Sequence, residues 1–328
     1  MILLLPRCVS FALVLVTLGQ VAAPSARAAE PEPSGAGKSA QPEPAGTAAA
    51  RTVVVTENNT AGSSETPVER IRSGEEFYFK VKWGPLGTAG DVAVSAQDEV
   101  LEGLPQTRIK VVTASRGLVR TLYAFDGEAE SVIDPRDGRL LMAKATTRSR
   151  KQNTSMTLFF DYAANEADYT DNVRPERSTH IPLPDGQPME FITALIQARG
   201  WNPQPGDTRV INVIFDNHIY PLTLHAMGYE KIATATAGEQ EALLVIPKME
   251  TNPRGIFKRG GSIRVWLARD EQRLPVRFEV KVAVGTAVGL LTRYRPPDEP
   301  AGTGTKADEP AETSREPEKA ADNRQADG

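Results

Sequence analysis

The sequence predicts a mainly β domain: an antiparallel meander of about a dozen strands forming a barrel or strongly curved sheet, with one helix at 188–199. Three observations carry that reading. The first is alternation. Ile263, Val265 and Leu267 alternate with Arg264 and Trp266, and Val276, Phe278, Val280 and Val282 alternate with Arg277, Glu279 and Lys281. Period two gives strands with one buried and one wetter face. The polar link from Arg269 to Arg273 makes the two runs a hairpin. The second is punctuation. Gly84-Pro-Leu-Gly87, Gly103-Leu-Pro105 and Asp134-Pro-Arg-Asp-Gly138 separate short apolar runs, as turns do between strands. The third is the scarcity of helical spacing, which is convincing in one stretch only.

The chain opens as an export signal. Arg7 precedes the apolar run Val9–Leu18, and Ala26-Arg27-Ala28 fits a small-x-small cleavage site, so residues 1–28 are expected to be removed near Ala28. The run is too short to span a bilayer, and no integral membrane segment is expected after cleavage. Without a twin arginine the general secretory route is expected, and with it a periplasmic location. The single cysteine, Cys8, precedes the apolar run and leaves with it. The mature chain then has no disulfide, thiolate metal site or cysteine nucleophile, and must be stable through its core alone.

Residues 29–68 are rich in Pro, Ala, Gly, Ser and Glu and read as a disordered linker, with Thr52-Val-Val-Val-Thr56 its one strand-forming segment. A single β domain occupies 69–297. Its strands are expected at Glu76–Trp83, Thr88–Ala96, Arg108–Thr113, Ala124–Ile133, Leu140–Arg148, Thr154–Tyr162, Ala167–Thr170, Thr208–Phe215, Ile219–Met227 and Ala242–Met249, followed by the closing hairpin and a third strand after Gly285. Gly117–Leu122 suggests one short helical turn. In the predicted helix, Asp185 or Gln187 caps the start, Pro188 suits the first turn and Gly200 stops it. Phe191, Ile192, Leu195 and Ile196 form its apolar stripe. Residues 298–328 are a disordered acidic tail.

The formal charge is −4 overall. With −5 in the tail and −1 in the first 68 residues, the domain between carries about +2. A nearly neutral domain gives no electrostatic case for nucleic acid or an anionic membrane.

One internal echo is visible: Gly87-Thr-Ala-Gly90 opens the domain, and Gly285-Thr-Ala-Val-Gly289 closes it. Glycine there permits positive φ or close backbone approach.

Several runs together resemble the bacterial family called domain of unknown function 3108. They are Gly74-Glu-x-Phe-x-Phe-x-Val-Lys-Trp-Gly84, Gly87-Thr-Ala-Gly90, Arg116-Gly-Leu-Val-Arg-Thr-Leu-Tyr123, Ile133-Asp-Pro135, Gly255-Ile-Phe-Lys-Arg-Gly-Gly-x-Ile-x-Val-Trp-Leu267 and Arg273-Leu-Pro-Val-Arg-Phe278. The likeness runs from about Arg72 to Tyr294. It implies an exported, mainly β domain of Gram-negative bacteria and brings no catalytic residues with it. The Pro-rich leader and acidic tail lie outside that pattern.

Chemistry is mostly missing. The three histidines, His180, His218 and His225, have no ligand spacing, so no metal is expected. No Gly-x-Ser-x-Gly elbow or phosphate loop is present, no cofactor is implied, and no catalytic residue is named. Asp161, Glu166, Asp168 and Asp171 cluster without a calcium-loop pattern and read as a solvated hairpin face. Aromatic residues are more suggestive. Their ordinary reading is core packing. The sharper one is an apolar groove for an acyl chain, lined by Trp83, Phe125, Phe191, Leu195 and Trp266, under the helix as a lid. The expected function is thus a binding or carrier module of the cell envelope with a lipid-like ligand. The alternative is an envelope structural or assembly factor that binds envelope proteins or glycan. A hydrolase with an unrecognised site is the third reading, and the absence of a catalytic motif argues against an enzyme.

Overall fold

The computed structural model describes residues 71–297, apart from 151, 216, 236–237 and 283–284. The expected signal peptide, linker, Thr52–Thr56 strand and acidic tail lie outside the described residues. Fifteen strands follow in order. They are β1 (Glu76–Trp83), β2 (Thr88–Leu101), β3 (Leu104–Ser115), β4 (Phe125–Ile133) and β5 (Leu140–Ser149). Next come β6 (Asn153–Asp161), β7 (Glu166–Asp171), β8 (Thr179–Pro182), β9 (Met189–Glu190) and β10 (Thr208–Phe215). The last are β11 (His218–Thr234), β12 (Gly238–Lys248), β13 (Ser262–Ala268), β14 (Pro275–Val282) and β15 (Gly285–Arg295). Two α-helices interrupt them, α1 (Gly117–Leu122) between β3 and β4, and α2 (Phe191–Gln197) directly after β9.

All the strands join one sheet, in the order β8-β7-β6-β5-β4-β3-β2-β1-β15-β14-β13-β12-β11-β10-β9. Every pairing is antiparallel except β9 with β10. β1 therefore sits at the centre of the order, where the first strand of the chain pairs with the last, β15.

Chain connectivity shows that this sheet is rolled. Pro182 ends one edge strand and Met189 begins the other. The seven steps between them span at most about 25 Å. A flat sheet of fifteen strands would hold its edges roughly 65 Å apart. The roll is not sealed by hydrogen bonds, because β8 and β9 each pair on one side only. Prolines explain the open seam: Pro182, Pro184 and Pro188 have no N–H to offer a facing strand.

Two sequence expectations need correction. The sheet has fifteen strands rather than about a dozen, and of the two forms expected, barrel or strongly curved sheet, it takes the curved one and stays open. The unforeseen strands are β8 and β9, four and two residues long, too short for alternation to show. The helix is also shorter than 188–199. Met189 and Glu190 pair with Val213 and Ile214 as β9, and the residues after Gln197 form a 3-10 turn, Ala198–Trp201. Neither Asp185 nor Gln187 makes the cap. The Glu190 carboxylate accepts from the Thr193 N–H and hydroxyl, and the turn ends on left-handed Asn202 at φ 47° rather than on Gly200.

The core lies on one face of the sheet. On β1, Phe77, Phe79, Val81 and Trp83 are buried while Tyr78, Lys80 and Lys82 are not. Phe77 and Phe79 stand opposite Val94 and Val92 of β2, and opposite Tyr294 and Leu291 of β15. The Gly-Thr-Ala echo acquires a meaning here. Its two copies begin β2 and β15, the strands flanking β1, and put Gly90 and Gly289 both opposite Val81. The Phe278 ring occupies the space that a Cβ at Gly289 would need, and Trp83 Nε1 would lie 2.8 Å from a Cβ at Gly285. These glycines let aromatic rings lie on the strand backbone.

Candidate functional site

The inner face carries one element that is not sheet. α2 leaves the seam strand β9, and Arg199 in the turn that follows reaches Glu75 at the start of β1. β1 lies seven places from β9 in the order. Along the sheet that is about 34 Å. The nine steps from Glu190 to Arg199, mostly helical, rise only about 15 Å. The helix thus cuts across the roll as a chord. It does so on the core side, where Phe191, Ala194, Ile196 and Ala198 are buried in the hydrophobic core.

Its far end is held by a buried polar latch. Arg199 Nη1 and Nη2 donate to Glu75 Oε1 and Oε2 at 2.9 and 2.6 Å. The Tyr294 hydroxyl donates to Oε1 at 2.6 Å and the Arg72 N–H to Oε2 at 2.7 Å. The Arg199 guanidinium also lies 5.6 Å from the Phe77 ring centre. Glu75 is 0% and Arg199 5% exposed. Burial pushes the Glu75 carboxyl up, but the hydrogen bonds and charge of Arg199, with the Tyr294 and Arg72 donors, outweigh it and hold it below the usual range. Burial, then the Glu75 hydrogen bond, pushes Tyr294 up to about 12. A carboxylate so fully engaged is a poor base, and a phenol at about 12 is a poor nucleophile near neutral pH. The arrangement fixes the helix.

The five residues expected to line a groove do not all come together. Trp83 and Phe191 are buried in the shared core. Phe125 is 1% exposed and begins β4, where its backbone N–H donates to Ser115 Oγ at 2.9 Å and its ring stacks on Tyr123 at 6.4 Å. It lies three strands from Trp83, outside that core cluster. The side chain of Leu195 falls outside the described set. Trp266 belongs to the buried core cluster, and along β13 its side chain lies on the opposite face of the sheet from Val265, whose partner is Phe278. Arg264 and Arg277 lie over its ring, each 4.9 Å from the ring centre, and its Nε1 donates to Glu230 at 2.8 Å. It is 2% exposed, with the two guanidinium groups part of its cover. Phe278 is the inward aromatic of this region, 5.4 Å from Phe79, and the alternation already placed it with Val276 and Val280.

Other parts of the inner wall are built small. Gly127, Ala129 and Ser131 of β4 stand opposite Thr147, Ala145 and Ala143 of β5. On the outer side near the seam, Glu166, Asp168 and His180 bring one ligand atom each within 4.8 Å of the others. Sequence spacing hid that group because β8 was not foreseen. Among the described residues no helix is long and apolar enough to cross a membrane.

Comparison with known proteins gives a family and little else. The family model described as "Protein of unknown function (DUF3108)" matches residues 78–292. No curated protein matches the chain. A β-barrel-like protein of domain of unknown function DUF1849 from Brucella abortus is similar with a TM-score of 0.46 at 7% identity, over 70% of this chain and 100% of that one. A protein provisionally described as exported, with a YmcC-like fold, from Bacteroides fragilis has a TM-score of 0.29 at 11% identity, over 70% and 98%. A provisionally described lipoprotein from Parabacteroides distasonis has a TM-score of 0.26 at 12% identity, over 69% and 97%.

Proposed function

The chain belongs to the DUF3108 family, and we propose that it is a non-catalytic binding module of the cell envelope that takes an apolar, lipid-like ligand against the inner face of its sheet. One observation carries the reading: a helix held at its far end by the Arg199–Glu75 pair is laid across the inner face of a rolled fifteen-strand sheet. Eight strands suffice to enclose a volume that side chains fill; fifteen rolled strands need another occupant. In this structure the occupant beside the latch is α2, and the facing residues of β4 and β5 are small. The open seam between β8 and β9 supplies an entry route that breaks no sheet hydrogen bond. The export signal at residues 1–28 supports a periplasmic location.

The test is native mass spectrometry of the full chain purified from the envelope, with titration of an apolar fluorescent dye. Copurified lipid and saturable dye binding are expected. Phe191→Ser should weaken dye binding several-fold and also lower stability, because Phe191 is 4% exposed in the core. A wild-type protein that carries no lipid and binds no dye would remove the proposal and favour a structural role.

A further inference from the structure

We infer that Glu166, Asp168 and His180 form a surface site for a divalent first-row transition metal, bridging the seam strand β8 to β7. The register assembles it. Asp168 stands directly opposite His180, and Glu166, two residues before Asp168 on β7, presents its side chain on the same face. His180 Nδ1 lies 2.5 Å from Asp168 Oδ1. The three ligand atoms lie within 4.8 Å of one another. Metal–nitrogen and metal–oxygen bonds of about 2.1 Å set neighbouring ligand atoms roughly 3.0–3.4 Å apart, so the His180–Asp168 contact would open slightly and the Glu166 carboxylate would close in. Asp168 and His180 are exposed and Glu166 half-buried, so the side chains can close without moving the strands.

The surroundings favour a cation there. Asp161, close by in the sequence, is engaged elsewhere: its Oδ1 accepts from the Ala163 and Ala164 N–H groups, both at 2.9 Å, and holds the β6–β7 turn. Asp171 at the other end of β7 is 0% exposed and engaged by Arg174 and Arg177. No ion pair joins Glu166 or Asp168 to a lysine or arginine among the described residues. One imidazole and two carboxylates suit Zn²⁺, Ni²⁺ or Mn²⁺; imidazole weighs against Mg²⁺ and Ca²⁺, which prefer all-oxygen sets. Three protein donors on an exposed edge leave the remaining positions to water.

The experiment is calorimetric titration of the chelator-treated full chain with ZnCl₂, with the His180 imidazole followed by NMR. One equivalent should bind, the His180 resonances should shift first, and excess Ca²⁺ should not compete. His180→Ala and Asp168→Asn should each weaken binding at least ten-fold while leaving the circular dichroism unchanged, since both positions are exposed. His180→Gln, which keeps the size of the side chain, should fail equally. His225 also faces a carboxylate, Glu250, at 3.0 Å and serves as the control. Binding that survives His180→Ala, or is lost instead with His225→Ala, overturns the site, as does the absence of stoichiometric binding.

Discussion

On one flank of β1 the buried side chains of β3 to β7 include Thr107, Thr113, Ser115, Ser131, Thr147, Thr154 and Asp171. On the other flank, β10 to β15 bury no polar side chain among the described residues; Leu222, Leu224, Leu243, Val245, Ile263, Val265 and Leu291 fill the corresponding positions. On the polar flank β3 and β7 alternate cleanly, while β12 and β13 also bury consecutive residues, Ala242–Val245 and Val265–Ala268; what further distinguishes the flanks is how each inward row is satisfied. The hydroxyls bond locally. Thr147 and Thr154 face each other across β5 and β6 at 2.6 Å, and Ser115 holds both the N–H and the carbonyl of Phe125 at 2.9 and 3.3 Å. The apolar flank has no such pairs and depends on transfer of side chains from water. Period two therefore reports which way a residue faces, and its chemistry then decides how that face is held.

The latch lies between the flanks, and breaking it should have the largest effect. Arg199→Met would leave the Glu75 carboxylate buried with two remaining donors, and should cost about 3–5 kcal/mol in urea unfolding. Combining it with Glu75→Leu should recover much of that loss, since a buried ion pair replaced by apolar residues of similar volume is often neutral. If the single variant loses under about 1 kcal/mol, the helix is not held from this end.

A reciprocal exchange sharpens the comparison. Val245→Thr on β12, at 1% exposure, puts a hydroxyl where no partner waits and should cost about 1–3 kcal/mol. Thr147→Val on the polar flank should cost a similar amount by stranding the Thr154 hydroxyl. Thr147→Val with Thr154→Val should return close to wild type, because both partners are removed together. A double variant as unstable as the single one would show that the hydroxyls of this flank bond beyond their own pair.

Much of the sheet was legible in the sequence. Strands of eight or more residues, such as β1, β10 and β14, declared themselves because alternation needs several repeats to be seen. β8 and β9 did not, and with them went the seam, the true start of the helix and the meeting of His180 with Asp168. All are products of pairing between strands, which spacing along one strand does not encode. The latch was hidden for the same reason: Glu75 and Arg199 are 124 residues apart. The alternation along β13 already put Trp266 with Arg264, opposite Ile263, Val265 and Leu267, whereas its meeting with Arg277 depends on pairing.

The smallest expected effect lies in the turn joining β4 to β5, at the edge of the polar flank, and concerns acid. Asp134 is buried while its partner Arg136 is exposed. Hydrogen bonding from the Arg136 side chain lowers its carboxyl, burial opposes that, and the Arg136 N–H and nearby charge leave it at about 2 against 3.8 unperturbed. A lowered folded pKa contributes stability that is present above the unfolded value. That contribution is then lost as pH falls from 3.8 to about 2. Asp134→Asn keeps an oxygen to accept the Arg136 N–H, at 2.9 Å in the wild type, so the turn itself should survive. What disappears is the charge, worth less than about 1 kcal/mol once solvent screens the exposed arginine. Urea midpoints should therefore show the variant slightly weaker than wild type at pH 5, with the two converging towards pH 2. A gap that stays constant over that range would assign the loss to turn geometry instead of to the ion pair.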